Sequence, residues 1–457
     1  MAKGIYAGTE SLARKVKKMY VGVDGKARKV KKGYIGVGGL ARLFFSGDPT
    51  VLVFDREIAT TLSALRYHQL GAASCSVNKN GIFAGGNTNT GGVADVVAIS
   101  PDLAISELQV LENGRRNAIG QSTSSRFVIA GGNTHGGFTD DSVLSSVEVY
   151  DSDFTKESNA APLQTNVSYH AGVRVEDKLL FGGGQKRDDS PYETDGMTPH
   201  VTAYSDDLTR TYAPDLSPLP ANARCGVYRL AAATAGKYAV FAGGSYVYWN
   251  NKAIGKSLDY SWAYDSQLTL SPGPNLPSGA RTGLMAGNFI EGPAVFLGGY
   301  TDNKGNIDES PSKYVDSISE DLTASAMPQL VNNFYHRFGP PNGVNYKELY
   351  LVFGASQFHK NIIYDKDYTI LPDPAEESSV YANGYDMMVN KVLAGDYCVV
   401  VSTDGDTSGN YGTSSKTWTY NLAYEWHSRG QRFDPAYLHQ RNPKLCTSDF
   451  FLTSSKR

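Results

Sequence analysis

The chain has 457 residues, of which 41% are hydrophobic and 19% charged, with 48 Gly, 29 Tyr and a formal net charge of −3. That balance excludes a disordered chain, a coiled coil and a helical bundle, and suits many short strands joined by Gly-rich turns. The four cysteines (Cys75, Cys225, Cys398, Cys446) lie far apart with no CxxC pair. This speaks against a disulfide framework or structural zinc and fits synthesis in a reducing cytoplasm. The first residues lack the apolar core of a signal peptide, and no run approaches the roughly 18 apolar residues of a membrane span, so membrane insertion is not expected.

Charge is unevenly spread. Residues 1–44 hold eleven Lys/Arg against two acidic residues, a local +9, which leaves 32 basic against 44 acidic residues, or −12, in the remainder. The same segment repeats every 14 residues: Tyr6, Tyr20 and Tyr34 share this spacing, as do Gly8, Gly22 and Gly36, and Arg14, Arg28 and Arg42. The middle copy, from Tyr20 to Lys29, reads as a strand, an Asp24-Gly25 turn and a return strand. Hairpins of this size bury no core of their own and need a partner to pack on. Residues 1–46 are therefore expected to form an attachment arm carrying Tyr6, Arg14, Tyr20, Arg28, Tyr34 and Arg42, with 47–49 as linker. Its charges alternate with Tyr, Val and Gly at hairpin spacing, so a solvated charged face is expected and nucleic acid is not.

Beyond the linker, eight apolar segments end in a pair of small residues: 81–86, 127–132, 179–184, 239–244, 294–299, 350–355, 398–403 and 450–455. Successive copies end 46, 52, 60, 55, 56, 48 and 52 residues apart, a period that marks stacked repeats. Each small pair is followed by a second motif with a polar tip, for example Val149 to Lys156 and Ala203 to Arg210, and preceded by another short strand. The unit is four antiparallel strands, two hairpins per repeat. The chain begins with an outer-hairpin copy (53–60) and ends with an inner-strand copy (450–455), so pairing of residues 50–61 with 447–455 is expected to close the array. The expected fold is all-β: a propeller of eight four-stranded blades over residues 50–457, with seven as the alternative.

This pattern resembles the kelch repeat, whose propeller blades carry a double Gly after an apolar strand and an aromatic on the next. The double Gly stands at Gly85-Gly86, Gly131-Gly132, Gly183-Gly184, Gly243-Gly244 and Gly298-Gly299, and decays to Gly354-Ala355, Ser402-Thr403 and Ser454-Ser455. Tyr150, Tyr204, Tyr264, Tyr364 and Tyr420 supply third-strand aromatics where a fourth-strand Trp is mostly missing. The arm, from Lys26 to Gly39, resembles short Lys/Arg-rich repeats of tail or baseplate proteins of phages and prophages of Gram-positive hosts. That resemblance implies a virion component made in the host cytoplasm. On this reading the arm binds other virion proteins, the propeller displays loops to a host-surface glycan or protein, and the chain assembles as a homo-oligomer, as phage fibres do. A structural virion subunit without ligand and a carbohydrate-active enzyme are the alternatives.

No paired carboxylates, nucleophile triad or metal set supports catalysis, so no enzyme is expected. His68, His170 and His336 precede innermost strands and could converge on a channel, but other repeats place Arg116, Arg224 and Arg281 there, which suits a structural tie. Asp404, Asp406 and Ser408 stand at alternate positions as in the start of a calcium loop, yet Ser415 occupies the twelfth position where Glu is required. No other cofactor is expected. Asp140-Asp141 and Asp188-Asp189 read as solvated loop tips. The long connections between second and third strands emerge on one face, and in one of them Tyr246, Tyr248, Trp249 and Asn250 form the candidate ligand site by sugar stacking and hydrogen bonding. Packing of those rings over a blade edge is the competing reading.

Overall fold

The computed structural model describes strands within residues 5–46, then residues 71–330 apart from 89–90, 135–141, 187–195, 224, 250–252, 289–291 and 304–305, and strands between 344 and 421. Two compact units result, Met1–Asp55 with Tyr424–Arg457, and Arg56–Ala423. The described residues contain no α-helix.

In the first unit, three separate antiparallel hairpins form: Ile5–Thr9 with Leu12–Val16, Tyr20–Val23 with Lys26–Lys29, and Lys32–Val37 with Leu40–Ser46. Gly8 pairs with Ala13, Gly22 with Ala27 and Gly36 with Ala41, so the 14-residue sequence period reappears as one register used three times. Ala7, Val21 and Ile35 stand opposite Arg14, Arg28 and Arg42, and Tyr6 and Tyr20 stand opposite Lys15 and Lys29. A bulge between Gly33 and Tyr34 shifts the third copy, so that Tyr34 faces Leu43.

The second unit is a series of antiparallel sheets of β-propeller-like organisation. Among the described residues seven sheets follow one another, five with four strands and two with three. The sheet of Ala171–Val175, Lys178–Gly182, Val201–Ser205 and Arg210–Ala213 shows the unit, each strand pairing with the next in chain order. The first strands of neighbouring sheets pack together and exchange hydrogen bonds. Gln121 Nε2 donates to Gly172 O (2.9 Å), and Thr234 Oγ1 donates to Arg174 O (2.6 Å).

The double glycine has a specific task. The second Gly of four of the five pairs donates its N–H across to the next sheet: Gly86 to Arg115 O (2.8 Å), Gly132 to Val167 O (2.8 Å), Gly184 to Val227 O (2.7 Å) and Gly244 to Arg281 O (2.9 Å). At Gly244, φ is 94° and a Cβ would stand 2.7 Å from Val227 Cγ1, so both the backbone conformation and the space require Gly. Where the sequence has Ser402-Thr403 instead, the strand runs on from Tyr397 to Gly405 and pairs with an eleven-residue strand, Tyr411–Asn421.

Third-strand tyrosines stitch three of the described sheets to their predecessors. Tyr150, Tyr204 and Tyr264 are fully buried, and their hydroxyls donate to Gln109 O (2.7 Å), Ala161 O (2.6 Å) and Pro214 O (2.8 Å). The outer hairpin tips are not purely polar. Leu103, Phe154, Leu208, Leu268 and Leu322 adopt φ of 58–69° there and turn their side chains against the sheet cores; Phe154 lies 5.8 Å from Phe127, ring to ring. A left-handed Leu costs about 1–2 kcal/mol, which burial of its side chain offsets.

The last described sheet, with strands Val389–Ala394, Tyr397–Gly405 and Tyr411–Asn421, packs directly on the first, with strands Ala73–Val77, Asn80–Ala84, Val96–Ile99 and Ile105–Glu107. Val392, Ala394 and Val399 share a buried cluster with Phe83, Val97 and Ile99, and Leu393 N–H donates to Ser76 Oγ (2.9 Å). The sheet expected to close the array would be made of residues 50–61 and 447–455. Both of those segments lie outside the described residues.

Candidate ligand-binding face

Among the described residues, two of the long connections between second and third strands are hairpins. Ser245–Trp249 pairs with Ala253–Ser257, and Tyr300–Asn303 pairs with Asn306–Pro311. Asp302 joins the two hairpins: its carboxylate accepts from Ser257 N–H (3.0 and 3.1 Å) and from Ser257 Oγ (2.7 Å).

Strand alternation then sorts the aromatic residues singled out by the sequence. Val247 points inward and is buried with Met197 and Tyr228, while Tyr246 and Tyr248 lie on the opposite side with ring centroids 6.3 Å apart. Tyr246 is half-buried and packs against the core shared by its own sheet and the preceding one, and burial raises its phenol pKa. Trp249 ends the strand, and Asn250 lies outside the described residues.

Next to this hairpin the structure assembles a group that the sequence did not flag. The residue two positions before each first strand takes a positive φ: Gly71 (65°), Asn117 (54°), Tyr169 (52°), Arg229 (53°) and Gly283 (62°). Backbone bonds link these residues from sheet to sheet, from Asn117 N–H to Gly71 O (2.8 Å), Arg229 N–H to Tyr169 O (3.0 Å) and Gly283 N–H to Arg229 O (3.0 Å). The Arg229 guanidinium lies over two tyrosine rings, 5.7 Å from the centre of Tyr169 and 5.4 Å from that of Tyr228. Through the cluster of Tyr169, Tyr228, Met197 and Val247, this group is continuous with the hairpin carrying Tyr246 and Tyr248. The sequence signal was present only as a non-Gly residue just ahead of the strand, invisible until the φ values are known.

The arginine and histidine expectations need correction. The structural tie in the second sheet is Arg115, not Arg116: it is fully buried, donates from Nη1 to Gly131 O and Ser146 O (3.2 Å each), and pairs with Glu148. Arg281 is its counterpart, donating from Nη1 to Gly298 O (3.0 Å) and Tyr314 O (2.9 Å) and pairing with Asp316. Burial pushes both guanidinium pKa values down, and the adjacent carboxylates oppose that shift. His170 is not a counterpart of these arginines. It stands immediately before its first strand, where other sheets place Ala118, Leu230 and Leu284, and is 2% exposed. Its ring lies 6.1 Å from Phe181 and neither nitrogen has a hydrogen-bond partner. Burial alone pushes its pKa down to about 3, so it is neutral at pH 7. His68, His336, Arg224, Asp140, Asp141, Asp188 and Asp189 lie outside the described residues.

Asp404 belongs to the strand Tyr397–Gly405, and Ser415 faces Thr403 across the pair, while Asp406 and Ser408 lie outside the described residues. Among the described residues no group of three His, Cys, Asp or Glu is placed to hold a metal ion.

No family model matches the chain, and no curated protein does. Among solved structures, the one titled "Structure of YjhT" is similar at 14% identity and a TM-score of 0.44, over 56% of this chain and 83% of that one. A likeness of that degree assigns neither ligand nor reaction.

Proposed function

We propose that this chain is a display protein of a bacteriophage particle, in a tail, baseplate or fibre. The basic arm, residues 1–46, attaches it to other virion proteins, and the kelch-like propeller presents one face to a host-surface glycan or protein. The carrying observation is the arm: three hairpins of one register, made from a 14-residue basic repeat that resembles phage tail sequences. Isolated two-stranded hairpins are marginal in water, so an element made only of them calls for a docking partner. The direct packing of the last described sheet on the first supports a propeller of seven blades, and the hairpins bridged by Asp302 supply a stiff surface for recognition. Homo-oligomeric assembly belongs to the same reading.

Packing of Tyr246 into the blade core favours a second reading, a structural virion subunit with no ligand. Two experiments separate them. Deleting residues 1–46 leaves a folded propeller that no longer enters particles; normal entry refutes the arm's role under both readings. Cell and glycan binding by the full chain supports the display reading, and Trp249→Ala weakens such glycan binding by about 1–3 kcal/mol if that ring stacks on a sugar. Absence of any binding transfers the conclusion to the structural subunit.

A further inference from the structure

The joint between the second and third sheets differs from the other described joints at one buried position. The residue immediately before the first strand is apolar and buried in four sheets, as Ala72, Ala118, Leu230 and Leu284, and is His170 in the third. Close packing fixes where this ring lies. A Cβ on Gly131 of the second sheet would stand 2.9 Å from His170 Cε1, a Cβ on Gly184 of the third would stand 2.9 Å from His170 Cβ, and the Phe181 ring is 6.1 Å away. The imidazole is therefore wedged between the two sheets, beside the core that they share through Ile119, Val128, Leu163, Val167 and Phe181.

A neutral imidazole fits there and an imidazolium does not. Neither ring nitrogen has a hydrogen-bond partner among the described residues, and no neighbouring charge contributes to the protonation of the ring. The elements packed around it bring no counter-charge. Gly131 and Gly184 have none to offer, and Tyr204, edge-on to Phe181 at 6.0 Å, has its phenol pKa raised by burial and stays neutral. The nearby ion pairs, Arg126 with Glu157 and Arg174 with Asp206, belong to the opposite end of the joint, since Arg174 stands near the far end of the strand that His170 precedes. A proton on His170 would create an unpaired buried cation, which the closed packing cannot compensate. The part that would give way is the connecting segment 163–170. Gly132 N–H donates to Val167 O (2.8 Å), Val167 N–H to Leu144 O (3.0 Å) and Ser168 N–H to Gln185 O (2.9 Å).

We propose that this joint is an acid-operated switch: protonation of His170 releases segment 163–170 from the second and third sheets, while the joints packed with Leu230 and Leu284 stay closed. The open form takes up its proton at the ordinary histidine value of 6.5 and the closed form refuses it until far lower pH. The open fraction is therefore flat above pH 6.5 and rises as pH falls below it. The switch is independent of the virion reading, since it rests on the packing of this joint alone.

The test is hydrogen exchange of the full chain, read by mass spectrometry at about pH 7.5 and pH 5 and corrected for the intrinsic pH dependence of exchange. The peptides compared cover 163–170 and 276–284, the equivalent segment before the fifth sheet. Opening of 163–170 increases about thirtyfold at the lower pH, tenfold for each unit below 6.5, and 276–284 does not follow. H170L keeps the joint closed at both pH values. H170Q retains a polar side chain that does not titrate, so 163–170 opens to the same extent at both, which separates protonation from misfit. The proposal is overturned if 163–170 of the parent opens equally at the two pH values, if 276–284 opens in parallel with it, or if H170Q keeps the pH dependence.

Discussion

His170 offers a sharp quantitative test, because its burial links stability to pH in a direction fixed by the structure. The neutral ring sits 2% exposed in a place that neighbouring sheets fill with Ala or Leu, and neither nitrogen is hydrogen-bonded. Its folded-state pKa is pushed down to about 3 from an ordinary 6.5. The unfolded chain therefore takes up a proton near pH 6.5 that the folded chain refuses, so stability is fully present above pH 6.5 and is lost as pH falls toward 3. The slope is about 1.4 kcal/mol per pH unit, so a fall from pH 7.5 to 5 costs about 2 kcal/mol through this residue alone. His170→Leu removes that loss. It also relieves two unmet nitrogens, which adds about 1–3 kcal/mol at neutral pH, less whatever the change in shape costs. The assay is denaturant unfolding of parent and variant at pH 7.5 and pH 5, reading the difference between the two proteins so that other titrating groups cancel. The gap widens by about 2 kcal/mol at the lower pH. An unchanged gap refutes the reasoning and means that the ring has water or a partner in the folded state.

Other outcomes follow from the same packing. Gly244→Ala places a Cβ 2.7 Å from Val227 Cγ1 at a φ of 94°, whereas Gly279→Ala, at 92°, has nothing within 4 Å. Thermal unfolding separates clash from strain: Gly279→Ala costs about 1–2 kcal/mol and Gly244→Ala clearly more. Asp316→Asn leaves the buried Arg281 guanidinium without its counter-charge and costs about 3–5 kcal/mol, while the double change Arg281→Met with Asp316→Leu costs far less, as denaturant titration will show. Tyr264→Phe removes the bond to Pro214 O and lowers stability by about 1 kcal/mol in the same titration.

Much of the architecture was legible because it is periodic. The small-residue pairs, the third-strand tyrosines and the 14-residue arm repeat each mark a recurring backbone event, and the structure shows what each event is: a cross-sheet N–H at the second Gly, a hydroxyl stitch at Tyr, and one register at Gly8, Gly22 and Gly36. The number of blades is not written in the motif count, because which sheets touch depends on long-range packing such as that of Val392 on Phe83. The tie at Arg115 was displaced by one residue, because two adjacent arginines are indistinguishable until the strand register fixes which one points inward. Left-handed Leu208 and Arg229 escaped detection for a similar reason. Sequence preference argues against φ above zero at such residues, and tertiary contacts override it.

The most direct measurement of the proposed virion role is immunogold labelling of particles purified from a culture that produces this chain, using an antibody raised against residues 56–423. Particles carrying the full chain label on their outer surface without disruption, and particles made with residues 1–46 deleted do not, although the truncated protein accumulates folded in the lysate. Unlabelled intact particles, or equal labelling with and without the arm, would contradict the account.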